Sequence, residues 1–172
     1  MEASEATELE LLNYWNDSSA YTKIVLGHGQ PDSILHKVAR TLRLEYYTEY
    51  WNIDAVFYDK SDGNYSQKAI IYAEQLTIAL EHENDSGGAF EEMYKLSTYN
   101  SPLKVLITYA SPGKQPDRLK DYKEILKKSD IFFDFATLRK HLVIFGSRSG
   151  NKVNWTYHIW DGEDFKDIKP SG

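Results

Sequence analysis

The sequence predicts an α/β domain in which one central mixed β-sheet is flanked by helices. Segments of helical period alternate along the chain with segments of strand period, the pattern of a layered sheet-and-helix core. Residues 103–109 form an almost continuous apolar run, as expected of a central strand covered on both faces. The chain has 172 residues, 41% hydrophobic and 14% aromatic, enough for one sizeable core and not comfortably for two. A single domain over 1–172 is therefore expected.

The elements follow in order. Residues 5–15 read as a first helix through Leu9, Leu11, Leu12 and Trp15, and the Ser/Gly-rich 17–30 as a loop. A second helix begins near Pro31 and Asp32, with Asp or Ser as cap, because Ile34, Leu35, Val38, Ala39 and Leu42 repeat at helical spacing. From 46 to 59 the period changes to two, with Ile53, Ala55 and Phe57 alternating against Asp54, Val56 and Tyr58, so this stretch reads as a strand. Ser61-Asp62-Gly63-Asn64 is a turn signal, and 69–72 and 76–82 read as strands two and three of a meander. A break at 84–88 precedes a helix over 89–98, where Phe90, Met93, Tyr94 and Ser97 share one side. The strand at 103–109 follows, then an amphipathic helix over 117–128 through Leu119, Tyr122, Ile125 and Leu126. Strands at 142–145 and 155–160, joined by a turn at 147–152, close the order.

Composition narrows the function classes. With no cysteine, a disulfide framework, a thiolate zinc site and a cysteine nucleophile are excluded. Residues 1–10 lack the basic start and apolar run of a signal peptide, and no apolar stretch approaches the ~20 residues that span a bilayer, so a cytoplasmic protein without membrane contact is expected. The net charge of −6, from 26 acidic and 20 basic residues, opposes phosphate binding as a whole, although a local basic strip would suffice.

The chemistry gathers on acids inside strands. Glu81-His82-Glu83 ends the apolar strand that runs through Leu76 and Leu80, and alternation turns Glu81 and Glu83 to one face and His82 to the other. Two carboxylates held side by side repel, and unless a cation or proton lies between them one pKa must rise. Oxygen-rich pockets of this kind suit Mg²⁺ or Mn²⁺. Asp54 sits in a comparable place, within a strand and between hydrophobic neighbours, where carboxylates persist when paired, coordinated or at an edge.

An Asp on one strand and an acidic-x-Lys or acidic-x-Glu a hairpin later, here Ile53-Asp54-Ala55-Val56 and Leu80-Glu81-His82-Glu83-Asn84, resembles the PD-(D/E)XK nuclease superfamily. The helix through Phe90 and Lys95 and the strand from Lys104 to Tyr109 follow in the family's order, so the resemblance covers residues 46–109. It implies a restriction-endonuclease-like fold and metal-dependent hydrolysis of DNA phosphodiester bonds. Asp54 and Glu81 would hold Mg²⁺ or Mn²⁺, with the His82 carbonyl completing the shell. Glu83 stands where the family has lysine and could bind metal or orient water, but cannot bring positive charge to the phosphorus. Some members carry the basic residue on the following helix, which makes Lys95 the candidate. The wheel puts Lys95 nearly opposite the Phe90/Met93/Tyr94 face, so it reaches the site only if the helix overhangs the strand end. Because many such nucleases pair to cut both strands, a homodimer is a further expectation. The alternative is a catalytically inactive domain of the same fold that binds a partner or nucleic acid; the acidic balance and the displaced lysine favour it.

Plainer readings stand beside these. Glu81 and Glu83 could be solvated acids at a strand end, and Asp54 could pair with Arg40 or Arg43. Glu49, five residues before Asp54, falls on the opposite face of a regular strand. His82 reads as a packed, hydrogen-bonded histidine rather than a general base. Glu91 and Lys95, spaced i, i+4, read as a surface ion pair worth roughly 0.3–0.5 kcal/mol, and Glu92 has no better claim. Trp155, Tyr157 and Trp160 read as core aromatics, and Lys127-Lys128 and Arg139-Lys140-His141 as solvated clusters.

Overall fold

The structure is a computed structural model that describes residues 25–27, 33–59, 76–129, 140–150 and 152–169. Seven strands form one sheet in sequence order. They are β1 (Glu45–Tyr50), β2 (Ile53–Tyr58), β3 (Leu76–Glu83), β4 (Leu103–Tyr109), β5 (Lys140–Ser149), β6 (Lys152–Trp160) and β7 (Phe165–Ile168). Helix α1 (Ile34–Leu42) precedes β1, α2 (Ala89–Thr98) joins β3 to β4, and α3 (Gln115–Ser129) joins β4 to β5. β3, β4 and β5 are mutually parallel, and every other neighbour is antiparallel. This is the mixed sheet with flanking helices that the sequence predicts.

Strand alternation divides the core in two. Val56, Ala79, Leu106, Val143 and Phe145 turn to the face covered by Met93 and Leu96 of α2 and Tyr122 and Leu126 of α3. Phe57, Ile78, Leu80 and Val105 turn to the face covered by Leu35 and Ala39 of α1. Both parallel crossovers advance in the same direction across the sheet, and right-handed connections of that kind set their helices on one face. β3 lies inside the sheet and is buried from Ile78 to His82, so any polar side chain there is held away from water.

Three expectations change. Residues 46–59 are not one strand but the hairpin β1–β2, with Tyr50 paired to Ile53 around the two-residue turn Trp51-Asn52. Both turn residues have positive φ, 45° and 68°, the geometry of tight hairpins that Asn-Gly or Asp-Gly announces in a sequence. Trp-Asn carries no such signal, and the even period runs through the turn unbroken. The meander is therefore β1–β2–β3, while the expected strand at 69–72 and the turn at 61–64 lie outside the described residues, as does the helix at 5–15. Helix α1 is capped by Ser33, whose hydroxyl accepts from the His36 amide, and ends on left-handed Arg43. The apolar side of α2 is Ala89, Met93 and Leu96, not the Phe90/Tyr94 side; Phe90 and Tyr94 are exposed. Strand β7, four residues with little apolar pattern, has no sequence signal.

Candidate functional site

The β2–β3 ladder brings the first two acids together. Ala55 lies opposite Leu80 and Val56 opposite Ala79, so the next step along the register sets Asp54 beside Glu81 on the α2/α3 face. The ladder's last pair is Ala55–Leu80, and beyond it the Asp54 carboxylate takes over the role of a backbone acceptor: its Oδ2 receives the His82 amide at 2.8 Å. A residue's N–H and C=O leave a strand on the same side. The His82 carbonyl therefore also faces the edge where Asp54 sits.

Glu81 is 1% exposed. Burial, and after it the Asp54 charge, pushes its carboxyl well above the usual carboxylate range. Asp54, half-buried, is raised as well, chiefly by burial and against the His82 amide bond that favours its charged form. Such a pair needs a compensating cation or a shared proton. One cation is present. The Lys95 ammonium stands 2.8 Å from Glu81 Oε1 and also contacts Glu92 Oε2. Burial pulls Lys95 down, but its bonds to Glu81 and Glu92 outweigh that and hold it above its ordinary value. Tyr99, the cap residue after α2, is raised by burial first and then by nearby charges that include Tyr50 and Glu81. Its hydroxyl donates to the Trp51 carbonyl, tying the β1–β2 turn to the end of α2 beside the acids.

Lys95 thus reaches the strands, although the wheel set it nearly opposite the helix's apolar side. The wheel misplaced that side. Measured from the Ala89/Met93/Leu96 stripe, Lys95 still lies about 120° round, on the side of Glu92, so the length of its side chain and not its place on the wheel carries the ammonium to Glu81. A flanking lysine has the length to curl back onto a buried strand acid while its stem covers apolar surface. The expected Glu91–Lys95 surface pair gives way to Glu81–Lys95–Glu92.

Glu83 does not join the pair. It shares the face, but two residues further on it reaches the strand end, where its Oε1 accepts the Asp85 amide at 2.8 Å. The charges acting on Asp54 include Lys95 and Glu92, and those acting on Glu81 include Asp54, Lys95 and Glu92. The His82 ring points to the α1 face, as alternation requires. Its Nε2 is 2.7 Å from Tyr109 Oη, and burial lowers its pKa to about 4, so it is a packed, hydrogen-bonded histidine. Glu49 belongs to β1, but the ladder pairs Thr48 with Ala55 and Tyr50 with Ile53 and passes over it; its φ of 53° takes it out of the regular strand and it is exposed.

Glu92, Tyr99 and Trp51 are the site neighbours that sequence reasoning missed. Glu92 and Lys95 share the i, i+3 relation, which alone cannot tell a surface pair from a site pair. Trp160 packs in the core, and Trp155 and Tyr157 line an apolar hollow of about 430 Å³ on the α1 face.

Among the described residues no three histidine or acidic side chains converge as a ready-made metal cage. The donor set still suits a hard dication, since Mg²⁺ is commonly held by one or two carboxylates with water and substrate oxygens filling the rest. Asp54, Glu81 and Glu92, when ionised, bring three negative charges against the single positive charge of Lys95, an excess of two. No family model and no curated relative matches the chain. Its class rests on the fold: an α/β protein with a seven-stranded mixed sheet flanked by helices. No helix among the described residues is long and apolar enough to cross a membrane.

Proposed function

We propose that the chain is a divalent-metal-dependent phosphodiesterase of the restriction-endonuclease-like fold, acting on DNA. The observation that carries this reading is the Lys95 ammonium at 2.8 Å from buried Glu81, on the strand beside Asp54. Two strand carboxylates and a lysine are thereby held together, although the lysine comes from α2 and not from position 83. The order helix, three-stranded meander, helix, parallel strand supports the same fold family.

Asp54, Glu81 and the His82 carbonyl would hold Mg²⁺ or Mn²⁺. The ion supplies polarisation of the phosphoryl oxygen and acidification of a water. The chain's own groups do the rest. The His82 amide and a side-chain hydrogen bond with Glu81 hold the Asp54 carboxylate in place before substrate arrives. Lys95, beside Glu81, would offer its ammonium to the negative charge that builds on the phosphate oxygens. A water would add to phosphorus and give up a proton to solvent, the phosphorus–oxygen ester bond would break, and the departing alkoxide would take a proton from solvent. Glu92 positions Lys95 and keeps it protonated.

The test is cleavage of plasmid and oligonucleotide DNA with Mg²⁺ or Mn²⁺ by the wild type, Asp54→Asn and Glu81→Gln. The reading expects metal-dependent cleavage that falls about 100-fold or more in each folded variant. Cleavage surviving in both variants would refute the assignment. The net charge of −6 favours a second reading, an inactive binding module of the same fold. Mn²⁺ or DNA binding without turnover would select it.

A further inference from the structure

The tip of the β1–β2 hairpin holds a conflict between local conformation and residue type. Its two residues, Trp51 and Asn52, adopt φ of 45° and 68°. Asn tolerates that region, but a bulky residue there is an outlier that persists only where its surroundings impose it. Burial does not explain the choice, because Trp51 is 62% exposed. Glycine or asparagine would suit the turn better. The tip is also anchored: the Tyr99 hydroxyl donates to the Trp51 carbonyl, and Tyr99 follows the helix that carries Lys95. The backbone that carries an exposed indole is thus held three residues from Asp54, on a turn strapped to the end of the helix that bears Lys95. Backbone strain of this kind clusters at ligand-contacting positions.

We infer that Trp51 is a stacking platform for an unpaired nucleobase adjoining the Asp54–Glu81 site, so that the substrate is engaged as single-stranded nucleic acid. The inference rests on the phosphodiesterase reading. Its physical ground is the mismatch between charge and substrate. A chain of net charge −6 gains little from neutralising phosphates, whereas stacking on an aromatic face is independent of sequence and does not need positive charge. Bases inside a duplex are already stacked on their neighbours and do not offer a face to the indole. A single strand does.

The experiment uses the full chain as wild type, Trp51→Asn and Trp51→Phe. Binding of a short single-stranded oligonucleotide carrying one 2-aminopurine is followed by fluorescence quenching in chelator, where no metal-dependent turnover occurs. Thermal unfolding and Mn²⁺-dependent cleavage are measured beside it. Trp51→Asn should bind about 5- to 100-fold more weakly, with Trp51→Phe between it and the wild type. The Tm of Trp51→Asn should equal or exceed that of the wild type, since Asn suits the turn; a merely structural tryptophan would lower it. In cleavage, KM for single strands should rise while kcat holds. Wild type failing to bind the single strand, or Trp51→Asn binding as tightly as wild type, would overturn the inference. Cleavage with unchanged KM in Trp51→Asn would remove the platform and leave the phosphodiesterase. Binding lost in Trp51→Asn, with no cleavage by any form, would keep the platform and remove the phosphodiesterase.

Discussion

Glu81→Gln keeps the shape of a buried side chain and deletes its charge, which isolates the electrostatic load of the carboxylate pair. A carboxyl whose pKa is higher in the folded than in the unfolded chain retains a proton in the native state over the range between the two values. Its contribution is complete below the unfolded value and is lost as pH rises toward the folded one. Glu81 is raised in this way by burial and by Asp54, so the native state should lose up to about 1.4 kcal/mol per pH unit above the ordinary glutamate range. His82 works in the opposite sense. Its folded pKa of about 4 is below its unfolded value, so stability is gained as pH rises to about 6.5 and is complete above that. Asp54, raised chiefly by burial, adds a loss at the acid end. The opposing slopes largely cancel below about pH 6.5 and Glu81 governs above it, so the wild type should lose up to about 2 kcal/mol between pH 6.5 and 8. Glu81→Gln should gain stability up to about pH 6.5 and then hold level. Urea unfolding followed by circular dichroism in chelator, at half-unit steps from pH 5 to 8, reads both profiles. Parallel profiles above pH 6.5 would refute the reasoning, because Glu81 would then carry no extra native proton.

Lys95→Met leaves Glu81 and Glu92 without their shared cation; with the lysine head about a third exposed, the loss at pH 7 should be about 1–3 kcal/mol. Urea unfolding of both forms at pH 7 checks this, and an unchanged stability would contradict the Glu81–Lys95–Glu92 contacts. Gly146→Ala would set a Cβ 2.7 Å from the Tyr109 ring and 2.9 Å from Trp155, both ring atoms on the α1 face of the sheet. Overpacking there should destabilise by about 1–3 kcal/mol and disturb Tyr109, the partner of His82 Nε2, which Tm and histidine proton chemical shifts would show. An unchanged Tm would contradict the packing described.

Much of the sheet was legible because its interior strands carry their burial in their composition. The run 103–109 and the helices over 89–98 and 117–128 fall where the periods place them. The hairpin within 46–59 was not legible, since Trp51-Asn52 lacks the glycine that usually marks such a turn and the even period continues across it. That error propagated to Glu49, whose position was counted along a strand that in fact reverses. At the site, Asp54 and Glu81 were legible from acids embedded in apolar strands, and the structure sets them side by side. Glu83 was over-read: alternation gives its face correctly, but the Asp85 amide at the strand end supplies a nearer partner. Lys95 was under-read because a helical wheel ignores the reach of its stem; the buried side of α2 was separately misplaced, because Phe90 and Tyr94 are apolar in sequence and exposed in structure. Period alone cannot weigh Ala89 and Leu96 above two aromatic rings; only the packing against Tyr122 and its neighbours decides that.

The central claim is that Asp54 and Glu81 form one site for a divalent cation. Calorimetric titration of the full chain with Mn²⁺ at pH 7.5, repeated in buffers of different ionisation enthalpy, addresses it most directly. Wild type should bind one ion and release up to about one proton as Glu81 ionises, while Asp54→Asn and Glu81→Gln lose binding and Glu83→Gln keeps it. Absence of Mn²⁺ binding in wild type, or binding that survives in both Asp54→Asn and Glu81→Gln, would contradict the claim.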